Sequence, residues 1–296
     1  MSAMEGSSLP VGGQADAAWQ RAIRANQRAA RETASAERHE RLYAESGREL
    51  HAAMARRHRA VADRHLTTAR LQESYARRVT EWAAGRDRSR PAQARGESRP
   101  LFMASVAEAC GTRSAALTLV AADLSQLAVA ASDRPSRGAQ DLEYVLTEGP
   151  ARDAVRERRA VYASGAALER RWPGYGSGLA ALGLRSVAAL PLKVSSDCIG
   201  ALTVFDSSSA LARSGKFRGV AAALAEGVLI GPDSDPGLYG GADLRAVVHQ
   251  AAGVLSEQSG SPVADALALI KARAYTLGVP LDTVARRVIS GELKLR

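Results

Sequence analysis

Four cations and one hydroxyl near the C-terminus form the clearest set of side chains that could bind phosphate groups. They are Lys271, Arg273, Thr283, Arg286 and Arg287. Lysine and arginine neutralise phosphates, and a threonine hydroxyl donates a hydrogen bond to them. Residues 243–296 nevertheless hold seven basic and five acidic side chains, a net charge of only +2. Charge alone therefore does not establish nucleic-acid binding, and a solvated helix face explains Arg286 and Arg287 equally well.

Most of the basic charge lies near the N-terminus. The 296-residue chain has a net charge of +9. Residues 14–99 hold 19 basic and 11 acidic side chains, whereas residues 100–242 hold 14 of each. This distribution favours an acidic partner, or nucleic acid bound without sequence preference, at the N-terminal segment.

We recognise no catalytic constellation in the sequence. There is no Ser-His-Asp set, no His-Glu-x-x-His motif and no glycine-rich phosphate loop. Cys110 and Cys198 lack metal-ligand spacing, so we expect both to be small core residues. We predict a protein that is not an enzyme and holds no metal, and we leave any other cofactor open.

Three histidines recur every seven residues, at His51, His58 and His65. Because this spacing places them on one helix face, they could form a pH or metal sensor. Heptad-like repetition is the interpretation we favour, since a zinc site prefers ligands four residues apart or a nearby carboxylate or thiolate.

Three short amphipathic helices must position the C-terminal cations. Turn signals separate them, Ser-Gly-Ser-Pro at 259–262 and Leu-Gly-Val-Pro at 277–280. We expect each proline in the first turn of the next helix, with Ser261 as an N-cap. Gly260 and Gly278 suit the left-handed residue that ends a helix.

The apolar residues of this stretch support a bundle, because they recur at steps of three and four. They are Leu244, Val247, Val248, Ala251, Val254 and Leu255, then Val263, Ala266, Leu267, Ile270 and Ala274, then Leu281, Val284, Ala285, Val288 and Ile289. Three such stripes close one small core. A bundle of this size is marginal alone, so we expect it to dock on a partner or on a preceding helix.

Four short motifs here are shared with a known family. They are Gln250-Ala-x-Gly253, Ala264-Asp265-Ala266-Leu267, Lys271-x-Arg273-Ala274 and Leu281-x-x-Val284-Ala285. The stretch resembles the ANTAR domain of transcription antitermination regulators. The resemblance implies a three-helix module that binds paired RNA hairpins with small loops and so prevents a terminator hairpin from forming.

Two positions depart from the family pattern. Ala252 stands where the family usually has a lysine, and Ser256 where it usually has a methionine. We expect the missing lysine to remove one charge that faces RNA.

The middle of the chain has the pattern of an α+β domain with a central antiparallel sheet. Helices are predicted at 101–109, 153–158, 177–182 and 211–229, and strands at 114–120, 127–131, 161–163, 185–190 and 198–205.

Five motifs identify a second resemblance. They are Leu146-x-Glu148-Gly149-Pro150, Arg171-Trp172-Pro173, Gly183-x-Arg185-Ser186-Val187, Leu190-Pro191-Leu192 and Ile199-Gly200-Ala201-Leu202. In this order they resemble a GAF domain, a sensor fold related to PAS, of the subtype often found before ANTAR domains. The resemblance implies a pocket over the sheet, for a possible small-molecule ligand, that Trp172 and Tyr175 either line or plug. Ala151 replaces a cysteine of many relatives, which argues against cysteine-based redox sensing.

The N-terminal part predicts a long helical arm. Ala, Arg, Glu and Gln dominate residues 15–86, and from Met54 a heptad seam runs to Trp82. We expect one long helix, or two helices broken near Ser46-Gly47, that pairs with a second copy or folds as a hairpin. No apolar stretch is long enough for a bilayer, so a cytoplasmic protein without membrane contact is predicted.

These predictions combine into a multi-domain chain: a coiled-coil-like helical arm, an α+β GAF/PAS-like domain and an all-α three-helix bundle. The predicted boundaries are 1–13 disordered, 14–86 arm, 87–100 linker, 101–231 sensor, 232–241 linker and 242–296 ANTAR-like domain. The function they favour is a sensor-regulated, RNA-binding transcription antiterminator that acts on hairpin RNA as a homodimer. The alternative is a dimeric protein-interaction scaffold with a basic arm and a degenerate ANTAR domain.

Overall fold

The computed structural model describes residues 11–88, 102–229 and 244–295. The described residues fall into two compact units. The first unit contains the described residues of Met1–Cys110 and Ser214–Asp235. The second unit contains the described residues of Gly111–Arg213 and Pro236–Arg296. None of the described helices is long and apolar enough to cross a bilayer. The predicted linkers at 87–100 and 232–241 lie almost wholly outside the described residues.

The arm is a helical hairpin of α1 (Val11–Ser46) and α2 (Glu49–Arg88). Gly47 takes a left-handed φ of +65° at the turn, which glycine adopts without strain. The break near Ser46-Gly47 and the hairpin are therefore confirmed. The helix already begins at Val11, so predicted disorder is wrong for residues 11–13, and residues 1–10 lie outside the described part.

Alanines form the interface of the hairpin. Those that are 5% exposed or less are Ala18, Ala22, Ala25, Ala29 and Ala36 of α1 and Ala55, Ala62, Ala69 and Ala76 of α2. Those of α2 recur every seven residues, and such small side chains let two helices approach closely. The predicted seam is buried from Thr68 to Val79 and half-buried from His58 to His65. The alanine seam was missed because alanine is also the commonest generic helix former.

Three further segments pack within the arm's unit: α3 (Phe102–Cys110), α9 (Gly215–Ala222) and a π-helical segment (Ala223–Leu229). Cys110 is buried, as expected, and burial raises the pKa of its thiol to about 12. The single helix predicted at 211–229 is wrong. Ser214 interrupts it, because its hydroxyl accepts a hydrogen bond from the Phe217 amide at 3.1 Å and so caps a new helix.

The second unit contains a five-stranded antiparallel sheet of order β2-β1-β5-β4-β3. The strands are β1 (Ser114–Val120), β2 (Gln126–Ala131), β3 (Val161–Ser164), β4 (Ser186–Val194) and β5 (Asp197–Phe205). The helices are α4 (Arg134–Leu146), α5 (Pro150–Glu157), α6 (Ala166–Arg171), α7 (Pro173–Ala181) and α8 (Ser209–Arg213). The α+β prediction is confirmed, but α4 and α6 were not predicted.

The C-terminal bundle consists of α10 (Leu244–Ser259), α11 (Val263–Leu277) and α12 (Leu281–Ile289). Its core contains most of the predicted apolar residues, although Val263 and Ile289 are exposed. Gly260 and Gly278 are left-handed, as predicted. Pro262 and Pro280 instead occupy the N-cap positions, and neither cap has a side-chain hydrogen bond. Ser261 is therefore not the N-cap, and its hydroxyl contacts that of Ser259 at 2.6 Å.

Candidate functional site

Helix α4 lies between the sheet and the C-terminal bundle, and its two faces carry different polar residues. Ser136, Gln140 and Glu143 are buried on one side, at steps of four and three. The helix begins at a capping box in which the Asp133 carboxylate accepts from the Ser136 amide at 2.8 Å. Both α10 and α11 pack within this unit, α10 beside β2 and α11 beside α4. The expectation that the bundle docks on a preceding helix is therefore confirmed.

A buried arginine joins the bundle to the GAF-like part. Only 1% of Arg245, near the start of α10, is exposed. Its Nη1 donates to Asp141 Oδ1 at 3.0 Å, and its Nε and Nη2 donate to Gln126 Oε1 at 3.2 and 2.9 Å. Removal of either Arg245 or Asp141 would leave the charge of the other buried without a partner.

Tyr144 of α4 receives two cations from the bundle. The Arg245 Cζ lies 4.1 Å from its ring centroid, and the Lys271 Nζ lies 3.9 Å from it. Lys271 Nζ also donates to the Tyr144 carbonyl at 3.0 Å. Burial lowers the pKa of Lys271 to about 8, with smaller contributions from the Arg245 and Arg152 charges. The ring thus binds both cations where water is largely excluded.

A third contact joins α12 to α4. Arg137 Nη2 lies 2.9 Å from Asp282 Oδ1, and its Nε lies 3.6 Å from Asp141 Oδ2. We call Arg137, Asp141, Tyr144, Arg245 and Lys271 the docking cluster. It links α10 and α11 to α4, and Arg137 of the cluster reaches α12 through Asp282.

The predicted phosphate-binding residues divide into two groups. Lys271 belongs to the docking cluster and is half-buried. The exposed ones are Arg273, Thr283, Arg286 and Arg287. Arg286 Nη2 lies 3.1 Å from Asp282 Oδ2, and Arg287 Nε lies 3.9 Å from Glu292 Oε2. The structure therefore leaves an exposed basic face on the bundle and places Lys271 apart from it.

Ala252, which stands where the ANTAR family usually has a lysine, lies in the core of the C-terminal bundle. Ala252 is 0% exposed, so the expectation that this position faces RNA is wrong for this chain. Ala266 and Ala285 are equally buried, which confirms close helix packing as their role. Ser256 is half-buried, and its hydroxyl donates to the Ser261 carbonyl at 2.6 Å. Neither departure from the ANTAR pattern removes a solvent-facing charge here.

Trp172 and Tyr175 are buried in the core of the sheet domain. Their rings meet edge to face with centroids 5.9 Å apart, and Trp172 Nε1 donates to Asp153 Oδ2 at 3.1 Å. Of the two roles predicted for them, plugging the space over the sheet fits this packing.

Beside Tyr175 lies a polar interior that the sequence did not reveal. Glu143 is fully buried, and its Oε1 accepts from the Arg152 amide at 2.6 Å. Burial raises the pKa of this carboxyl to about 8. A Cβ at Gly149 would lie 2.6 Å from the Glu143 Cδ, so only glycine fits there.

Four buried polar atoms of this interior have no hydrogen-bond partner among the described residues. They are Gln140 Nε2, Glu143 Oε2, Tyr175 Oη and Thr203 Oγ1. Such atoms are usually satisfied by ordered water or by a bound polar molecule. The sequence signal was the polarity of α4, whose buried positions include Ser136, Gln140 and Glu143 beside Ala139.

Two histidines of the repeat, His51 and His58, contact His39 of α1. His39 Nδ1 lies 3.0 Å from His51 Nδ1, and the His39 ring stacks on His58 at a centroid distance of 5.5 Å. Glu32 Oε2 lies 2.7 Å from His58 Nδ1. Within the described ranges, no three His, Cys, Asp or Glu side chains are placed to hold a metal ion.

Comparison with protein families matches residues 100–228 to the GAF domain. The predicted sensor domain is therefore confirmed as a GAF domain. Comparison with curated proteins and with solved structures gives no match. The likeness of the C-terminal bundle to ANTAR domains rests on its sequence motifs.

Proposed function

We propose that this chain, whose residues 100–228 are a GAF domain, is a sensor-regulated RNA-binding transcription antiterminator that acts on hairpin RNA as a dimer. The observation that supports this most is the exposed basic face of a three-helix bundle held against the GAF domain. RNA loops offer unstacked bases and phosphates, which a few cations and a hydroxyl can bind.

The RNA-binding face in this proposal is centred on α12. Thr283, Arg286 and Arg287 are three or four residues apart, so they share one side of the helix. Arg273 of α11 adds a further exposed cation. Asp282 engages Arg286, and phosphate would compete for that guanidinium.

Helix α4 would couple the sensor to this face. Gln140 and Glu143 of α4 face the polar interior of the GAF domain, while Asp141 and Tyr144 engage the bundle. A molecule that orders or displaces the interior groups would shift α4 and weaken the docking cluster. Release would expose the Lys271 ammonium and add a cation for RNA.

Two exposed apolar residues of the arm support the dimer. Trp19 is 38% exposed and Ile23 is 46% exposed, and they lie one turn apart on α1. Burying such a pair against a second copy stabilises association. A dimer would present two bundles to the two hairpins that ANTAR-like proteins are expected to bind.

The test is binding of the full chain to a twin-hairpin RNA over a range of salt concentrations. Changing Arg286→Ala together with Arg287→Ala is expected to weaken RNA binding. It should also reduce the magnitude of the slope of log association constant against log salt concentration by up to about two. The matched control is Arg48→Ala with Arg57→Ala, which removes the same charge from two exposed positions of the arm, one in the turn before α2 and one in α2. Equal binding before and after the bundle change would refute the proposed face.

The scaffold alternative is favoured by one observation. The arm segment holds most of the net charge, whereas Arg286 and Arg287 each lie near an acidic side chain. In that case the Arg48 and Arg57 changes would weaken RNA binding and the bundle changes would not. Sequencing of RNA crosslinked in cells would then recover RNA without recurrent twin hairpins.

A further inference from the structure

An open groove of about 640 Å³ lies within the arm's unit, between α2, α3 and α9. Its apolar lining includes Leu66, Ala109 and Val220. This volume is in the range of small-molecule sites, which are mostly apolar with a few placed polar groups. The groove belongs to a different unit from the docking cluster and the basic face of the bundle.

Three cations line the groove from two of its helices: Arg70 and Arg77 of α2 and Lys216 of α9. All three are exposed, and none forms a hydrogen bond or ion pair within the described residues. Arg70 and Arg77 are two helical turns apart on one face, so their Cα atoms are separated by about 10.5 Å.

Two acidic residues also line the groove, but one is already neutralised. Glu108 Oε2 accepts from Arg78 Nη2 at 2.9 Å and from the Ser74 hydroxyl at 2.8 Å. These two hydrogen bonds lower the pKa of Glu108, and the positive charges of Arg78 and Arg77 make smaller contributions. Asp63 lies two turns before Arg70, so it is farthest from Arg77. The wall between Arg70 and Arg77 therefore has a net positive charge.

A buried hydroxyl also lines the groove. Ser105 of α3 is 1% exposed, and its Oγ has no hydrogen-bond partner among the described residues. A buried donor without an acceptor costs stability, and an oxygen of a ligand in the groove would satisfy it. This group is an independent sign that the groove has an occupant.

We propose that this groove binds a small phosphate-bearing anion. The two guanidinium groups give paired N–H donors that match phosphate oxygens, and the lysine adds a point charge. The Ser105 hydroxyl donates from the α3 wall. The proposal does not depend on RNA binding by the bundle.

The test is calorimetric titration of the full chain with inorganic pyrophosphate at low salt. One site per chain is expected in the unmodified protein. Arg70→Gln with Arg77→Gln should weaken binding about tenfold or more, because two charge-assisted contacts are lost. Arg48→Gln with Arg57→Gln removes the same charge from two exposed positions of the arm outside the groove, one in the turn before α2 and one in α2, and the affinity should remain unchanged.

A second variant fills the groove without changing its charge. A Cβ at Gly219 of α9 meets nothing within 4 Å, so the leucine of Gly219→Leu projects into open space. Leucine also favours the helix more than glycine does, and the fold should be retained. Circular dichroism should match the unmodified protein while pyrophosphate binding is lost. Any of three results would overturn the proposal. The unmodified chain does not bind pyrophosphate, the two arginine pairs lose pyrophosphate affinity equally, or the Gly219→Leu variant binds pyrophosphate as well as the unmodified chain.

Discussion

Arg245 of α10 and Asp141 of α4 form an ion pair with Nη1 and Oδ1 3.0 Å apart, and Arg245 is almost completely buried. The pair connects the C-terminal bundle to the GAF domain. It is supported by hydrogen bonds from the same guanidinium to Gln126 and to the Gln140 carbonyl. Removal of one member is therefore a sharper disturbance than removal of an exposed ion pair.

The change Asp141→Ala should lower the free energy of unfolding by about 3–5 kcal/mol, because it leaves the Arg245 charge buried without its partner. Urea denaturation measures this loss, and hydrogen exchange should show α10 opening first. The matched control is Arg286→Ala, which breaks an exposed pair with Asp282 and should cost less than about 1 kcal/mol. Equal costs for the two changes would contradict the role given to the buried pair.

The local pattern of the chain was enough to predict most elements with an apolar face. Strand β1 was predicted at 114–120 and has those bounds, and the three helices of the bundle were all found. Helix α4 was missed because its buried residues include Ser136, Gln140 and Glu143, which interrupt the apolar pattern that Ala139 and Leu142 would otherwise show. Burial of such polar groups depends on partners far away in the sequence.

The same limit applies to the candidate site. The exposed arginines of α12 could be predicted from helical spacing. The docking cluster could not, because Arg245 contacts Gln126, which lies 119 positions earlier. Lys271 and Arg273 look equivalent in the sequence, yet one is half-buried against Tyr144 and the other is exposed. Only the packing of α11 beside α4 separates them.

Lys271 should make the docking of the bundle depend on pH. Its pKa falls from 10.5 to about 8 in the docked state, so docking favours the neutral amine. The stability this gives is present above pH 10.5 and is lost as the pH falls through about 8. Hydrogen exchange of α11, corrected for intrinsic rates, should show stronger protection at pH 10 than at pH 7.5. Lys271→Met should remove the difference, and its persistence would exclude Lys271 as the cause.

The histidine cluster should make the helical arm sensitive to acid. The pKa of His39 is lowered, first by desolvation and then by His51, His58 and Arg38, so the folded arm favours neutral His39. Its contribution to stability is therefore complete above pH 6.5 and is lost as the pH falls through the lower folded pKa. Thermal unfolding followed by circular dichroism should show a lower Tm at pH 5 than at pH 7. His39→Gln should reduce that difference, whereas His249→Gln, at an exposed position of α10, should leave it unchanged.

Glu143 should have the opposite dependence on pH. Burial raises the pKa of its carboxyl from 4.5 to about 8, so the folded GAF domain favours the protonated acid. The stability this gives is present below pH 4.5 and is lost as the pH rises through about 8. Glu143→Gln keeps the shape of the side chain and removes the titration, so the variant should be more stable than the unmodified chain at pH 8 by at least ~1 kcal/mol.

The measurement is the free energy of unfolding in urea at half-unit steps from pH 5 to pH 8.5. The difference between variant and unmodified chain should grow with pH, because only the unmodified chain must bury a carboxylate. Glu148→Gln is the matched control, since Glu148 belongs to the same domain and its Oε1 accepts from the Tyr175 amide at 2.8 Å. A constant difference across the range would show that Glu143 is ionised in the folded domain, and the interior would then require a bound cationic or hydrogen-bonding partner for Oε2.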